Sequence, residues 1–177
     1  MFRESRLGLF LSFSLMTGSV LQINVSAGGV PKRAVPQALL TELGIEGGGH
    51  AHPEIHGGPD RAVLLITTEG IEELAALGFP VAHGSLGENL TTQGIGRREW
   101  RVGQRWSIGA EAVIEITKRR GPCQALNVYG PGIQAAIFDA LTQAGDPASP
   151  KWGLSGVYAS VVAPGLLRPG DPIVLIP

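Results

Sequence analysis

Glycine and proline divide this sequence into short stretches, with 26 glycines and 13 prolines among 177 residues. Five runs between them are rich in β-branched residues, which predicts short β-strands. These runs are SVLQINV (19–25), RAVLLIT (61–67), AEAVIEIT (110–117), GVYASVV (156–162) and PIVLI (172–176). A Rossmann domain is not expected, because strands and helices do not alternate regularly and no G-x-G-x-x-G turn joins them. The pattern predicts a mainly β (α+β) fold, a Gly-rich closed or half-closed β-barrel with a few peripheral helices.

Helical periodicity appears in two segments. In TEGIEELAAL, Thr68 is the predicted N-cap and Gly78 the C-terminal stop. In PGIQAAIFDALTQAG, Pro131 opens a single predicted helix and Gly145 closes it. Both helices are expected to bury an apolar face. The predicted core positions are Ile71, Leu74, Ala75 and Leu77 in the first helix, and Ile133, Ala136, Ile137, Ala140 and Leu141 in the second.

The composition restricts the class of partner. The chain has 14 basic and 15 acidic residues and no run of Lys and Arg that could neutralise a line of phosphates. We therefore expect a small-molecule substrate and no nucleic acid. The single cysteine cannot form an internal disulfide, which is typical of a protein from a reducing compartment.

The N-terminus allows two interpretations. Residues 1–18 contain Arg3 and Arg6 followed by the apolar run LGLFLSFSLM, which resembles a signal peptide. The run is too short to span a bilayer, and no A-x-A-like cleavage site follows it. The segment is either an export signal or an N-terminal extension with a mis-called start. We predict one domain over residues 19–177, a cytoplasmic protein and no membrane span.

Cys123 is the first candidate for chemistry, in the stretch RRGPC. It is either an inert, buried side chain or a reactive thiol. Arg119 and Arg120 precede it, and their charges can stabilise a thiolate. Pro122 cannot donate a backbone hydrogen bond, which favours a loop that leaves the strand AEAVIEIT. A thiolate in such a loop is both a nucleophile and a soft metal ligand.

Two other stretches carry clustered polar side chains. HAHPEIHGGPDRAV places His50, His52, Glu54 and His56 close together, in a spacing compatible either with zinc or with an anion-contacting or solvent-facing turn. GSLGENLTTQGIG places Asn89 between glycines, which favours either a turn or a polar contact to a ligand. The residues alone leave a cysteine-dependent enzyme and a small-ligand barrel as alternatives.

Four motifs in register resemble the MOSC domain, the module found at the C-terminus of molybdenum-cofactor sulfurases. They are HGGPDRAVLL (56–65), GENLTTQGI (87–95), VGQRWSIG (102–109) and RRGPC (119–123). The stretch INVSAGGVPKRAV is similar to the first strand and loop of that family. The resemblance covers about residues 19–176 and is greatest to the small stand-alone members.

The resemblance implies a β-barrel that binds the molybdenum cofactor (molybdopterin). Cys123 would be the catalytic residue, as a molybdenum ligand or as a carrier of persulfide sulfur. The residues implied in cofactor binding are Lys32, His56, Arg61, Asn89, Arg119 and Arg120. The cations would contact the cofactor's phosphate and Asn89 its pterin ring. The loop that contains Arg61 would form a wall of the pocket, with His56 facing the site and His50 and His52 facing solvent.

Three functions follow from the resemblance. The first is a small oxidoreductase that reduces N-hydroxylated compounds with electrons from a separate reductase. The second is a sulfur transferase supplied by a sulfur donor, and the third is a non-catalytic cofactor carrier. Gly47, Gly48 and Gly49 stand where relatives have an acidic and then a polar residue, so that contact is missing. The 177 residues lack the aminotransferase-like domain of sulfurases, so no pyridoxal phosphate chemistry is expected of them.

Overall fold

A computed structural model describes residues 16–49 and 57–177. The strands are β1 Thr17–Val25, β2 Arg33–Val35, β3 Ala38–Thr41, β4 Gly44–Ile45, β5 Val63–Thr67, β6 Leu90–Gln93, β7 Arg105–Ile108, β8 Ala112–Arg119, β9 Val157–Ala163, β10 Gly165–Leu167 and β11 Pro172–Ile176. The α-helices are α1 Thr68–Ala76, α2 Ile133–Ile137 and α3 Ala140–Ala144. Two 3₁₀-helices cover Pro59–Arg61 and Gln124–Tyr129.

Seven of the described strands close into a barrel in the order β11-β7-β8-β9-β5-β6-β1, because β1 also pairs with β11. Gly18 lies opposite Ile173 at this closure. Every neighbouring pair in the barrel is antiparallel except β5 and β6, which are parallel and connected through α1. β2 extends the sheet beside β1, while β10, β3 and β4 form a second, small sheet. This architecture confirms the predicted mainly β barrel.

Alternation along the strands separates two apolar clusters. In β5, Val63 and Leu65 belong to the cluster shared by the barrel strands, whereas Leu64 and Ile66 pack with residues from the helices. Successive side chains of a strand point to opposite faces, so β5 is covered on both sides and all five of its residues are buried. The second cluster holds the helices, and the loop that carries Cys123, against the outside of the barrel.

The first predicted helix buries only part of its expected apolar face. Ile71 and Leu74 are buried as predicted, but Ala75 is exposed and Leu77, the C-cap residue, is 66% exposed, so neither of these two is a core residue.

The ends of the predicted helices also differ from the expectation. The N-cap of α1 is Thr67, because its Oγ1 accepts a hydrogen bond from the Gly70 amide at 3.2 Å, and Thr68 is the first helical residue. The second predicted helix is broken into α2 and α3 at Phe138, whose backbone is extended. The Asp139 carboxylate accepts from the Thr142 amide at 2.7 Å and begins a new helix.

That break changes which face of the segment is core. Ile133 and Ile137 are buried as predicted, but Ala140 is exposed and Leu141 is 47% exposed. In the sequence the apolar repeat continues across Phe138. In the structure the helix ends there, so residues after Phe138 no longer share the face of Ile133 and Ile137. Gly145 ends α3 in the left-handed conformation, with φ of 88°, as its position predicted.

The five predicted strands are all present, with β1 beginning at Thr17 rather than Ser19. The further described strands have only two to four residues each and had not been predicted. Within residues 16–49 and 57–177, no helix is long and apolar enough to cross a membrane. Residues 1–15 lie outside the described part, so the two interpretations of the N-terminal segment stay predictions.

Candidate functional site: a cationic cleft beside Cys123

A cleft of about 160 Å³ opens beside the only cysteine. Its lining residues are Arg61, Lys118, Arg120, Gly121, Pro122, Cys123 and Tyr158. Three of these side chains are cationic and none is acidic. An anion or an electron-rich ligand would therefore be attracted to this cleft.

The end of β8 fixes the floor of the cleft. Lys118 lies opposite Tyr158 of β9 in the sheet register. One residue beyond β8, the Arg120 amide donates to the Gly156 carbonyl at 3.0 Å. The Arg120 carbonyl accepts from the Ser155 hydroxyl at 2.6 Å. Gly156 has φ of 86°, and a Cβ there would lie 2.6 Å from the Leu65 carbonyl oxygen, so only glycine lets β9 enter so close to β5.

Cys123 lies in the loop that leaves this strand end and is partly exposed. Its backbone is extended, and its carbonyl accepts from the Leu126 amide at 3.1 Å as the following 3₁₀-helix begins. The side chain packs at the edge of the outer apolar cluster while also lining the cleft. This position differs from that of a buried packing cysteine, because the thiol can meet a ligand.

The Arg120 side chain is buried although it is charged. It is 5% exposed, and its Nε and Nη1 have no hydrogen-bond partner among the described residues. Arg120 hydrogen-bonds Tyr158, whose pKa is raised by burial, while Arg120 and then Arg61 act in the opposite direction. Burying donors without acceptors is unfavourable for folding, so the Arg120 guanidinium has hydrogen-bonding capacity that the described residues leave unused.

Lys32 and Glu88, from two different loops, interact electrostatically with Arg120. The Lys32 amide donates to the Gly84 carbonyl at 2.9 Å, which joins the loop before β2 to the loop before β6. Gly84 has φ of 88°, and a Cβ there would collide with the Lys32 carbonyl oxygen. Glu88 follows in the second loop and is fully buried. The two loops therefore bring a lysine and a carboxylate next to the arginine.

The pKa values of Lys32 and Glu88 are both perturbed at this position. Burial lowers the pKa of Lys32 to about 8, with Glu88 raising it and Arg120 lowering it further. Burial raises the pKa of Glu88, against hydrogen bonds from the backbone and from Thr91 and the charge of Arg120. Both shifts favour the neutral form of a buried group. Lys32 and Glu88 thus carry their charges at an energetic cost.

The residues proposed from sequence for cofactor binding divide into three groups. Arg61 and Arg120 line the cleft, and Lys32 lies in the charge cluster next to Arg120. Arg119 is placed over the ring of Trp152, 5.1 Å from its centroid, and is not among the lining residues. Asn89 lies directly before β6, where its Oδ1 accepts from the Leu64 amide at 3.1 Å. Its acceptor is therefore used to join β5 and β6.

The histidine-rich segment cannot be placed. His56, His50, His52 and Glu54 lie outside the described residues, so the orientation of these side chains stays a prediction. Within the described ranges, no group of three or more His, Cys, Asp or Glu side chains is arranged to hold a metal ion.

Sequence reasoning did not identify Glu88, Lys118 or Tyr158. Glu88 could have been noticed as a charge placed two residues before the buried strand β6. Lys118 and Tyr158 are each other's cross-strand neighbours, which no local pattern shows.

Comparison with known families and proteins gives a consistent result. The family model of the MOSC domain matches residues 52–174. Protein YiiM of Escherichia coli is 33% identical over 147 residues, which is 79% of this chain and 59% of that protein. The uncharacterized protein YflK of Bacillus subtilis is 29% identical, over 84% of this chain and 63% of that protein. The chain thus spans about six tenths of the length of both relatives.

Solved structures agree in fold. The crystal structure of YiiM from Escherichia coli has a TM-score of 0.63 and 27% identity, over 92% of this chain and 69% of the other. YiiM from Geobacillus stearothermophilus has a TM-score of 0.67 over 90% of this chain and 75% of the other. YuaD from Bacillus subtilis also reaches 0.67, over 91% and 96% of the two chains. The last two are 23% and 19% identical, so they support the fold alone.

Proposed function

Since this chain belongs to the MOSC domain family, we propose that it binds the molybdenum cofactor in the cleft beside Cys123 and acts there as a small oxidoreductase. The single observation that supports this most directly is the partly exposed thiol in a cleft whose described lining has three cationic side chains and no acidic one. The proposed substrates are N-hydroxylated compounds, and the proposed electron donor is a separate reductase.

The donor set suits the cofactor. A thiolate is a soft ligand, as molybdenum bound to dithiolene sulfur requires, and Cys123 would provide it. The buried Nε and Nη1 of Arg120 lack acceptors among the described residues, and a phosphate supplies several. Lys32 and Arg61 would add charge on either side of this contact. The bound cofactor would supply a metal that exchanges electrons and accepts an oxygen atom.

The residues of the chain have distinct tasks in this scheme. Cys123 would hold the metal at the mouth of the cleft, and Arg120 would orient the anionic end of the cofactor. Tyr158 lines the same cleft, and burial raises its pKa, so its hydroxyl stays protonated and would offer a hydrogen bond, rather than a proton, to an oxygen of the substrate. Gly121 and Pro122 also line the cleft. Neither has a long side chain, so they leave room for a substrate.

Cys123→Ser tests the proposal. Serine has nearly the shape of cysteine but is a hard, poorly ionised donor, so molybdenum content and reduction of an N-hydroxylated substrate should both be lost while the fold is kept. The measurements are metal analysis, fluorescence of the oxidised pterin, and turnover with a chemically reduced dye as electron donor. Arg98→Ala is the matched control, because Arg98 bonds the Pro147 carbonyl away from the cleft. Normal activity of the serine variant would refute the catalytic role of Cys123.

Sulfur transfer is the alternative that the same exposed thiol favours. A persulfide on Cys123 would add the mass of one sulfur to the protein and would be removed by reductant. A metal-bound thiolate would instead be protected from alkylation until the cofactor is extracted. Intact-mass analysis before and after reduction therefore separates the two functions on a single preparation.

A further inference from the structure

Glu88 is the one acidic group in the charge cluster with Lys32 and Arg120, and the proposed function gives it no task. It is fully buried, and its two carboxylate oxygens differ in their hydrogen bonds. Oε1 accepts hydrogen bonds from the Gly84 amide and from the Thr91 hydroxyl at 3.2 Å. Oε2 is buried and has no partner within the described part of the chain.

A hydrogen-bond chain fixes this asymmetry. The Gln22 amide donates to Asn24 Oδ1 at 2.6 Å, and Asn24 Nδ2 donates to Thr91 Oγ1 at 3.2 Å. Thr91 then uses its only hydrogen to donate to Glu88 Oε1. Each of these three hydrogen bonds is donated in the direction of Glu88. Because Oε1 receives the last of them, it must remain an acceptor. A proton that binds this carboxyl group can reside only on Oε2.

The charges around Glu88 come from three elements. Lys32 reaches it from the loop before β2, and Arg120 from the end of β8. Tyr129, in the 3₁₀-helix after Cys123, is the other titratable side chain that interacts with it. The Nε and Nη1 nitrogens of Arg120 have no acceptor among the described residues, so neither of them is paired with this carboxylate. An anion that contacts Arg120 would add negative charge beside Glu88 in a poorly solvated region.

We propose that Glu88 is the internal counterion of Lys32 and Arg120, and that it takes up a proton from solvent on Oε2 when an anionic group binds these two cations. The inference rests on the proposed function for the identity of the natural anion, the phosphate of the cofactor. In the absence of the anion the carboxylate compensates the cations. In its presence the neutral acid removes the repulsion between two buried negative charges.

The sign of the linkage follows directly. Binding that takes up a proton becomes weaker as pH rises, because fewer protons are available. Lys32 adds to the same trend, since a bound anion favours its charged form. Replacing Glu88 with Gln keeps an acceptor oxygen for the Gly84 amide and for Thr91 but removes the negative charge. The variant should therefore bind anions more tightly near neutral pH and with a weaker dependence on pH.

Inorganic sulfate is the probe, because it carries no titrating proton near neutral pH and any proton exchanged must come from the protein. The full chain is produced in a host without molybdenum cofactor and its fold is checked by circular dichroism. The dissociation constant for sulfate is then measured by NMR titration between about pH 6 and pH 9. For each proton coupled to binding, it should rise about tenfold per pH unit, and Glu88→Gln should lose the contribution of one proton.

Glu69→Gln is the matched control, because Glu69 Oε2 is also buried without a partner in the described chain, but in α1 and outside the cluster. It should leave the slope unchanged. An identical slope in native and Glu88→Gln protein, or an absence of sulfate binding to the native chain, would overturn the inference. A purely structural role of Glu88 would lower stability without changing the slope.

A second readout uses the cofactor-loaded chain. Retention of cofactor after gel filtration should decrease with rising pH more steeply in the native protein than in Glu88→Gln. A native protein that never contains molybdenum would refute the proposed function, whereas the sulfate slopes would still decide the role of Glu88. The two failures are therefore distinguishable.

Discussion

Strands β8 and β9 contribute to both the barrel interior and the cleft beside Cys123, yet the buried side chains of the two regions have opposite surroundings. Inside the barrel, alternate residues of β8 such as Ile114 and Ile116 are buried against apolar neighbours. Beyond the end of the same strand, Arg120 is buried with two guanidinium nitrogens, Nε and Nη1, that lack acceptors among the described residues. The interior therefore stabilises the fold, whereas the cleft holds polar groups whose hydrogen bonds are incomplete among the described residues.

Trp106 provides the strongest test of the interior. It is fully buried in β7, and its ring lies 4.7 Å from that of Trp100, centroid to centroid. Trp106→Ala should lower the free energy of unfolding by about 3 to 5 kcal/mol, because it removes a large apolar side chain and leaves a cavity. Urea denaturation followed by circular dichroism measures the loss.

The matched cleft variant is Arg120→Met, which keeps an apolar stem of similar length. It should cost far less stability than Trp106→Ala, because the guanidinium is incompletely hydrogen-bonded. Its main effect should be on the ligand, with cofactor or sulfate bound about 10- to 100-fold more weakly from the loss of charge-assisted hydrogen bonds. Equal destabilisation by the two variants would show that the cleft contributes to folding as the interior does.

The pH dependence of stability sharpens the same contrast. Lys32 has a pKa of about 8 in the folded chain, against 10.5 for an ordinary lysine, mainly because of burial. Between these values the unfolded chain binds more protons, so this lysine makes stability rise with pH. Below about pH 8 the burial of its charge is fully unfavourable.

Lys32→Met should therefore be more stable than the native chain at pH 7, by about 1 to 3 kcal/mol after allowance for partial exposure. The advantage should decrease as the pH rises from 8 to 10.5, since the native lysine becomes neutral over this interval. Urea denaturation of both proteins at a series of pH values measures the difference. A constant difference across that range would contradict the assigned cause. Trp106→Ala should show no such convergence.

The same contrast explains what could be predicted from sequence. The five long strands and α1 were predictable because β-branched runs and helical periodicity are local signals. The strands β2, β3 and β4 have two to four residues, too few for a period to appear. Asp139 could break the second helix because a cap competes with the apolar repeat, a balance that periodicity alone does not reveal.

The site was predictable only in part, since it depends on contacts distant in sequence. Cys123 was identified by its uniqueness and by its motif. Glu88 acquires its role from Lys32, which approaches through a backbone hydrogen bond between two loops. Burial of a carboxylate next to a lysine from another loop has no local signature. For this reason the sequence pointed to residues that line the cleft, such as Cys123 and Arg61, but not to the buried carboxylate of Glu88.

The smallest expected effect distinguishes two adjacent arginines that the sequence treated alike. Arg119 is the last residue of β8 and Arg120 the next, and successive residues of a strand point to opposite faces. Arg119 lies over Trp152, 5.1 Å from the ring centroid, so its charge interacts with an aromatic face. Arg119→Ala should lower the free energy of unfolding by about 1 kcal/mol, the contribution of a partly desolvated cation–π contact. Because Arg101 also lies 5.5 Å from that ring centroid, part of the interaction remains.

Molybdenum content and sulfate affinity of Arg119→Ala should stay at the native level, whereas Arg120→Met reduces both. Loss of cofactor in Arg119→Ala with unchanged stability would reverse this assignment and place the phosphate contact on the Trp152 side of the strand.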